Sequence, residues 1–140
     1  MFHRILLAVD LADDRPEKGL PEALELVNAG MGSLRLVNVQ PLLPATFMEY
    51  VPADFDAAQE RRAREALQAI AAEIAMPAER LSFAVASGGV YHELLREAAE
   101  WGADLVVVGS HRPSMADYLL GSNAKTIVAH APCSVLVVRA

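Results

Sequence analysis

A loop near the end of the chain carries residue types suited to holding an anion. The apolar run Val106–Val108 ends at Gly109, and further along Gly121 and Ser122 precede a helical pattern. Glycine lets a ligand approach the backbone closely, and the first N–H groups of a helix lie at the positive end of its dipole. These residues indicate a phosphate site, although Ser122 could equally be a simple helix cap.

Catalytic and metal-binding patterns are weak by comparison. His111 is the only base in this loop, and no recognisable motif pairs it with a serine or cysteine nucleophile. The other histidines, His3, His92 and His130, lack metal-ligand spacing. No P-loop and no Gly-x-Gly-x-x-Gly follows the first strand. We therefore predict no metal site and no catalytic residues, with slow hydrolysis or transfer of a phosphoryl group as an alternative.

The loop must be positioned by the elements around it, and these alternate along the chain. Apolar runs typical of buried strands alternate with segments whose apolar residues recur at helical spacing. The predicted strands are Ile5–Val9, Leu34–Val39, Leu81–Ala86, Asp104–Val108 and Ser134–Val138. The predicted helices cover about residues 20–29, 54–76, 90–101 and 120–131, and Gly30, Pro77 and Gly102 end the first three.

Strand–helix alternation predicts one fold class. It favours a single α/β domain over residues 1–140, with a flavodoxin-like, doubly wound, five-stranded parallel sheet in the order 3-2-1-4-5 and helices on both faces. Ligands bind such sheets outside the carboxyl ends of the strands, where the strand order reverses. Asp10 ends the first strand and Gly109 the fourth, so both are expected at that point.

Composition excludes several classes of function. The formal net charge is −6, which disfavours nucleic acid as a partner. The only cysteine, Cys133, cannot form an intramolecular disulfide, and we interpret it as a small apolar residue in a reducing compartment. No apolar run approaches the length of a membrane span. The prediction is a cytoplasmic protein.

Three segments together resemble the universal stress protein family. Gly109–Pro113, Tyr118–Ala124 and His130–Val138 are similar to its C-terminal signature, and Arg4–Asp10 is similar to its first strand. The resemblance implies a stress-response protein that binds an adenine nucleotide, ATP or AMP, with or without Mg²⁺.

The phosphate loop of the family places further residues. Its pattern is Gly-x-x-Gly, nine residues, then Gly followed by Ser or Thr, so Gly109 matches the first glycine and Gly121 and Ser122 match the closing pair. Here Arg112 stands at the second glycine and the loop is one residue short. Arg112 offers a charged fork suited to phosphate. Alternatively it fills the pocket by pairing with a carboxylate such as Asp10 or Asp117.

Other site residues follow from the same resemblance. Asp10 matches the carboxylate that contacts the adenosine part of the ligand, and Ala8 and Val9 would wall the base. Val39 matches the position whose main chain contacts the adenine edge. Asn123 would present its N–H to phosphate at the start of the last helix.

The fifth strand indicates how the protein associates. Its residues Val135, Leu136, Val137 and Val138 are apolar although the strand is expected at the sheet edge, where unpaired backbone groups invite another chain. The resemblance likewise implies a homodimer through this strand. A ligand-free dimeric scaffold that acts through protein partners is the alternative if the altered loop closes the pocket.

Overall fold

A parallel five-stranded sheet forms the centre of the molecule. The computed structural model describes residues 2–12, 15–41, 54–110 and 122–139. The strands are β1 (Arg4–Ala8), β2 (Ser33–Gln40), β3 (Leu81–Ser87), β4 (Leu105–Gly109) and β5 (Ser134–Val138). Every pairing is parallel, and the order is β3-β2-β1-β4-β5. The predicted fold class and strand order are confirmed.

Helices cover both faces of this sheet. They are α1 (Leu20–Ala29), α2 (Phe55–Ala72), α3 (Val90–Trp101) and α4 (Ser122–His130), with a 3₁₀ turn at Ala78–Arg80. Val27 of α1 and Leu67 of α2 belong to the apolar cluster on one face. Leu94 of α3 and Ile127 of α4 belong to the cluster on the other face.

Strands β1 and β4 are apolar because both of their faces are covered. Ile5, Leu6 and Leu7 of β1 are fully buried, and so are Val106 and Val107 of β4. Burying one such side chain stabilises a fold by about 1.5–3 kcal/mol. The continuous apolar runs therefore agree with the inner positions of β1 and β4, which are neighbours in the sheet. The carboxyl ends of these two strands lie side by side.

The second helix is shorter than its sequence pattern predicts. It ends at Ala72 rather than at Met76. The chain tightens there, since the Ile74 N–H donates to the carbonyl of Ala71 at 3.0 Å, and Pro77 disfavours helical backbone before it. Ile74 still packs into the core at 9% exposure. The apolar periodicity correctly predicted which residues are buried, such as Leu67 and Ile74, but it continues beyond the end of the helix.

Candidate functional site

A cavity of about 820 Å³ opens at the carboxyl ends of β1, β2 and β4. That volume is within the range of ligand pockets for small molecules, about 300–1,000 Å³. The described lining includes five of the residues that the sequence predicted for the site: Ala8, Val9, Asp10, Val39 and Gly109. Val9 is only 3% exposed, so its side chain contributes mainly to the core.

The cavity exists because β1 ends earlier than β2. The last residue pair between these strands is Ala8 with Val37. Their last backbone hydrogen bond runs from the Val9 N–H to the Val37 carbonyl at 2.8 Å. Strand β2 continues to Gln40 beside β3. Successive residues of a strand direct their N–H and C=O groups to alternate sides. The backbone groups of Val39 therefore face the same side as those of Val37, beyond the end of the β1 ladder.

A buried amide fixes this step between the strands. Asn38 is 4% exposed, and its Nδ2 donates to the Val9 carbonyl at 2.8 Å. In a continued parallel ladder that carbonyl would instead accept from the N–H of Val39. The side chain of Asn38 thus takes the place of a backbone donor. This leaves the Val39 N–H beside the cavity.

Asp10 is an exposed carboxylate in the turn that leaves β1. Its Oδ1 accepts a hydrogen bond from the Ala12 N–H at 3.0 Å, an arrangement typical of Asx turns. The carboxylate therefore orders the strand exit while it lines the cavity. The structure shows the role in the turn, and contact with the adenosine part of a ligand stays a prediction.

Gly109 provides space rather than an unusual backbone angle. The positive-φ glycines of the described chain are Gly19, Gly88 and Gly102, so Gly109 does not rely on glycine's backbone freedom. A Cβ atom at Gly109 would lie 2.9 Å from Cδ of Lys18. The close approach that a glycine allows is here occupied by a lysine stem from the loop before α1.

Lys18 is one of three cationic side chains among the described residues that line the cavity, and sequence analysis missed all three. Lys18 is 9% exposed, whereas Arg15 and Arg62 are exposed. Asp10 is the one carboxylate among the described lining residues, so this described part of the lining carries a positive balance in a protein whose net charge is −6. Such a local balance favours an anionic ligand.

Helix α4 begins beside the cavity. Its first residue is Ser122, Asn123 belongs to its first turn, and Ala124 and Ile127 line the cavity. The predicted residues Arg112 and Gly121 lie outside the described residues, as do His111 and Asp117. The predicted roles of these four residues stay predictions.

Other chemistries find little support in the described ranges. Across residues 2–12, 15–41, 54–110 and 122–139, no three His, Cys, Asp or Glu side chains come together in a way that could hold a metal ion. Burial, and then the Asp104 carboxylate, raises the pKa of the Cys133 thiol, which disfavours the reactive thiolate. None of the helices in these same ranges has the length and apolar character needed to cross a membrane.

Sequence comparison identifies the family directly. Residues 1–139 match the universal stress protein family. The chain belongs to that family. Universal stress protein G of Shigella flexneri is 33% identical over 143 residues, which cover 99% of this chain and all of that protein. Universal stress protein A homolog 1 of Coxiella burnetii is 33% identical over 98% of this chain and 96% of its own length.

Solved structures of universal stress proteins share the fold. UspA from Lactobacillus plantarum superimposes with a TM-score of 0.75 at 24% identity, over 98% of this chain and 97% of that one. A universal stress protein in complex with cAMP superimposes with a TM-score of 0.65 at 21% identity, over 98% and 97% of the two chains. Family membership and fold therefore agree.

Proposed function

We propose that this universal stress protein binds an adenine nucleotide, ATP or AMP, in the cavity at the carboxyl ends of β1, β2 and β4. The observation that carries the proposal is the positive balance of the described lining residues, with Arg15, Lys18 and Arg62 around a cavity of about 820 Å³ in an acidic chain. The reversal of strand order between β1 and β4 is where ligands of doubly wound sheets bind.

The base lies at the end of β2. The Val39 N–H and C=O face the cavity side and offer one donor and one acceptor. Adenine presents a ring nitrogen that accepts and an exocyclic amine that donates along one edge, which complements this pair. Ala8 forms the adjacent wall.

The ribose and the phosphates extend from β1 toward β4 and α4. Asp10 uses Oδ1 in its own turn, so Oδ2 accepts from a ribose hydroxyl, as a carboxylate does in other doubly wound folds. The phosphates lie between Gly109 and the first turn of α4, where Ser122 and Asn123 present backbone N–H groups. Gly121 and Arg112 complete this part of the proposal.

Binding rather than turnover is the activity we propose. Hydrolysis of ATP requires groups that hold a metal ion and position water at the terminal phosphate. Among the described lining residues Asp10 is the single carboxylate. A slow ATPase stays the alternative, and loss of phosphate release in Asp10→Ala would support it.

A homodimer through β5 is part of the proposal. Residues Val135–Val138 are apolar and half-buried although β5 is an edge strand. A second copy paired with this edge would cover both the backbone groups and the side chains. Light scattering at micromolar concentration tests this, and a monomeric mass would contradict it.

Calorimetric titration of nucleotide-free protein with ATP and Mg²⁺ tests the binding proposal. The matched pair of variants is Ala8→Leu, which fills the cavity wall, and Ala99→Leu, which adds the same bulk at an exposed site on α3. We expect saturable binding in the wild type and in Ala99→Leu, and its loss in Ala8→Leu.

Two results would contradict the proposal. Wild-type protein that is folded and free of nucleotide but takes up neither ATP nor AMP would favour the ligand-free scaffold. Binding that Ala8→Leu leaves unchanged, with both variants melting like the wild type, would place the nucleotide elsewhere.

A further inference from the structure

A chain of two side-chain amides leads from the buried end of β1 to the cavity. Asn38 Nδ2 donates to the Val9 carbonyl at 2.8 Å, and Gln40 Nε2 donates to Asn38 Oδ1. Both side chains line the cavity. Asn38 is buried and Gln40 is half-buried, so the chain ends at the wall of the cavity.

The chemistry of the groups fixes the orientation of both amides. A backbone carbonyl only accepts hydrogen bonds, so the Asn38 side chain must direct its NH₂ group to Val9. Its oxygen then faces Gln40 and must receive a donor, which forces the Gln40 NH₂ group toward it. Reversing either amide would bring two acceptor oxygens together without a proton between them.

This orientation leaves the carbonyl oxygen of Gln40 for a ligand. Within the described part of the chain, no hydrogen bond to Gln40 Oε1 occurs. Gln59, the other glutamine of the described lining, differs because its Oε1 already accepts from Arg62 Nη1 at 3.1 Å. Gln40 therefore presents an acceptor of fixed polarity, one residue beyond Val39.

We infer that Gln40 is a specificity-determining residue, whose Oε1 accepts a hydrogen bond from the exocyclic amine of the bound base. This inference rests on the proposed adenine-nucleotide function. An amine carries two N–H groups, so Val39 C=O accepts one and Gln40 Oε1 accepts the other. A base with a carbonyl at that position would bring oxygen against oxygen and would leave buried acceptors unpaired. Asn38 acts as the positioning residue.

The test compares ATP with the triphosphate of purine riboside, which keeps the ring nitrogens and the phosphates but lacks the amine. Gln40→Met removes the acceptor while it preserves the length of the side chain. A lost neutral hydrogen bond lowers ATP affinity about three- to tenfold. We expect this loss for ATP in Gln40→Met and unchanged affinity for the purine riboside triphosphate. Gln59→Met should leave the ratio of the two affinities as it is in the wild type.

Each remaining result has its own meaning. Equal weakening of both ligands by Gln40→Met, or no weakening of ATP, would overturn the role of Gln40 while leaving the nucleotide proposal intact. No binding of either ligand by folded wild-type protein would overturn the nucleotide proposal itself. Gln59→Met could instead change the ratio of the two ligand affinities as much as Gln40→Met does. That result would show that any amide in the cavity has this effect, and it would also overturn the inference.

Discussion

The polar groups at the two ends of the sheet differ in their surroundings: at one end they bond to one another, and at the other they line a cavity. At the amino end, the Asp104 carboxylate accepts from the backbone N–H groups of His3 and Arg4 at 2.7 and 3.0 Å. The Arg4 guanidinium donates twice to the carbonyl of Trp101, at 2.9 and 2.6 Å, and lies 4.4 Å from the centre of its ring. The groups of this cluster bond to one another and close that end.

The carboxyl end is organised to leave groups available. Asn38 completes the step between β1 and β2, whereas Val39 and Gln40 line the cavity beyond it. Lys18, Arg15 and Arg62 bring positive charge to the same place. Under the proposed function, one end of the sheet contributes stability and the other contributes binding, and variants of the two ends should separate these properties.

The largest effect is expected at the closed end. Trp101→Ala removes a half-buried aromatic ring that packs on the core and lies over Arg4 and Arg35. The variant should lose about 3 kcal/mol in free energy of unfolding, the lower end of the range for such truncations. Denaturant titration measures this. ATP affinity of the folded fraction should stay at the wild-type value, and a matching fall in affinity would contradict the separation of the two ends.

A smaller effect, on affinity, is expected at the open end. Lys18→Met keeps the apolar stem against Gly109 but removes the charge. A charged group contributes more to a hydrogen bond than a neutral one, so ATP affinity should fall about tenfold while adenosine affinity is unchanged. Arg61→Met, an exposed position on α2 outside the described lining, is the control for overall charge. Equal losses for both variants would reduce the effect to long-range electrostatics.

Gly109→Ala sharpens the same point with a subtler change. The new Cβ would meet Lys18 Cδ at 2.9 Å, so the flexible lysine stem must move aside. We expect a loss below about 1 kcal/mol in unfolding free energy, within the range of ordinary substitutions, and a decrease in ATP affinity smaller than that of Lys18→Met. If Gly109→Ala has no further effect on ATP affinity in the Lys18→Met background, the two residues act on the ligand as one unit. Strictly additive losses would argue against the contact.

The smallest effect is expected at Cys133, which belongs to neither function. Because burial and Asp104 raise the pKa of its thiol, little thiolate forms near neutral pH. Alkylation by iodoacetamide should be slower in the native protein than in the protein unfolded by guanidinium. Equal rates would contradict the partly buried position of the thiol, and Cys133→Ala should leave ATP affinity unchanged.

Much of the fold could be predicted because the sequences of β1 and β4 indicate that both faces of these strands are buried. Runs such as Ile5–Val9 and Val106–Val108 are apolar at every position, which only a strand covered on both faces requires. Their order then placed Asp10 and Gly109 together. The predicted end of α2 was wrong because the apolar periodicity continues through Ile74. The tight turns before Pro77 depend on local backbone geometry, which the periodicity does not show.

The part of the site that was missed depends on tertiary contacts. Lys18 belongs to a polar loop, and nothing nearby in sequence indicates that Gly109 buries its stem. Arg62 belongs to a run of charges typical of a solvated helix face. Asn38 was the one residue whose type could have indicated this part of the site, since a single amide within the apolar run of β2 must satisfy its hydrogen bonds with a nearby group.

An NMR titration of amide resonances with ATP tests the central claim most directly, because it observes both ends of the sheet in one sample. The account predicts saturable shifts at Asp10, Val39 and Gly109, with Arg4, Trp101 and Asp104 unchanged. Shifts confined to the amino end, or no shifts at saturating ATP in protein free of nucleotide, would contradict it.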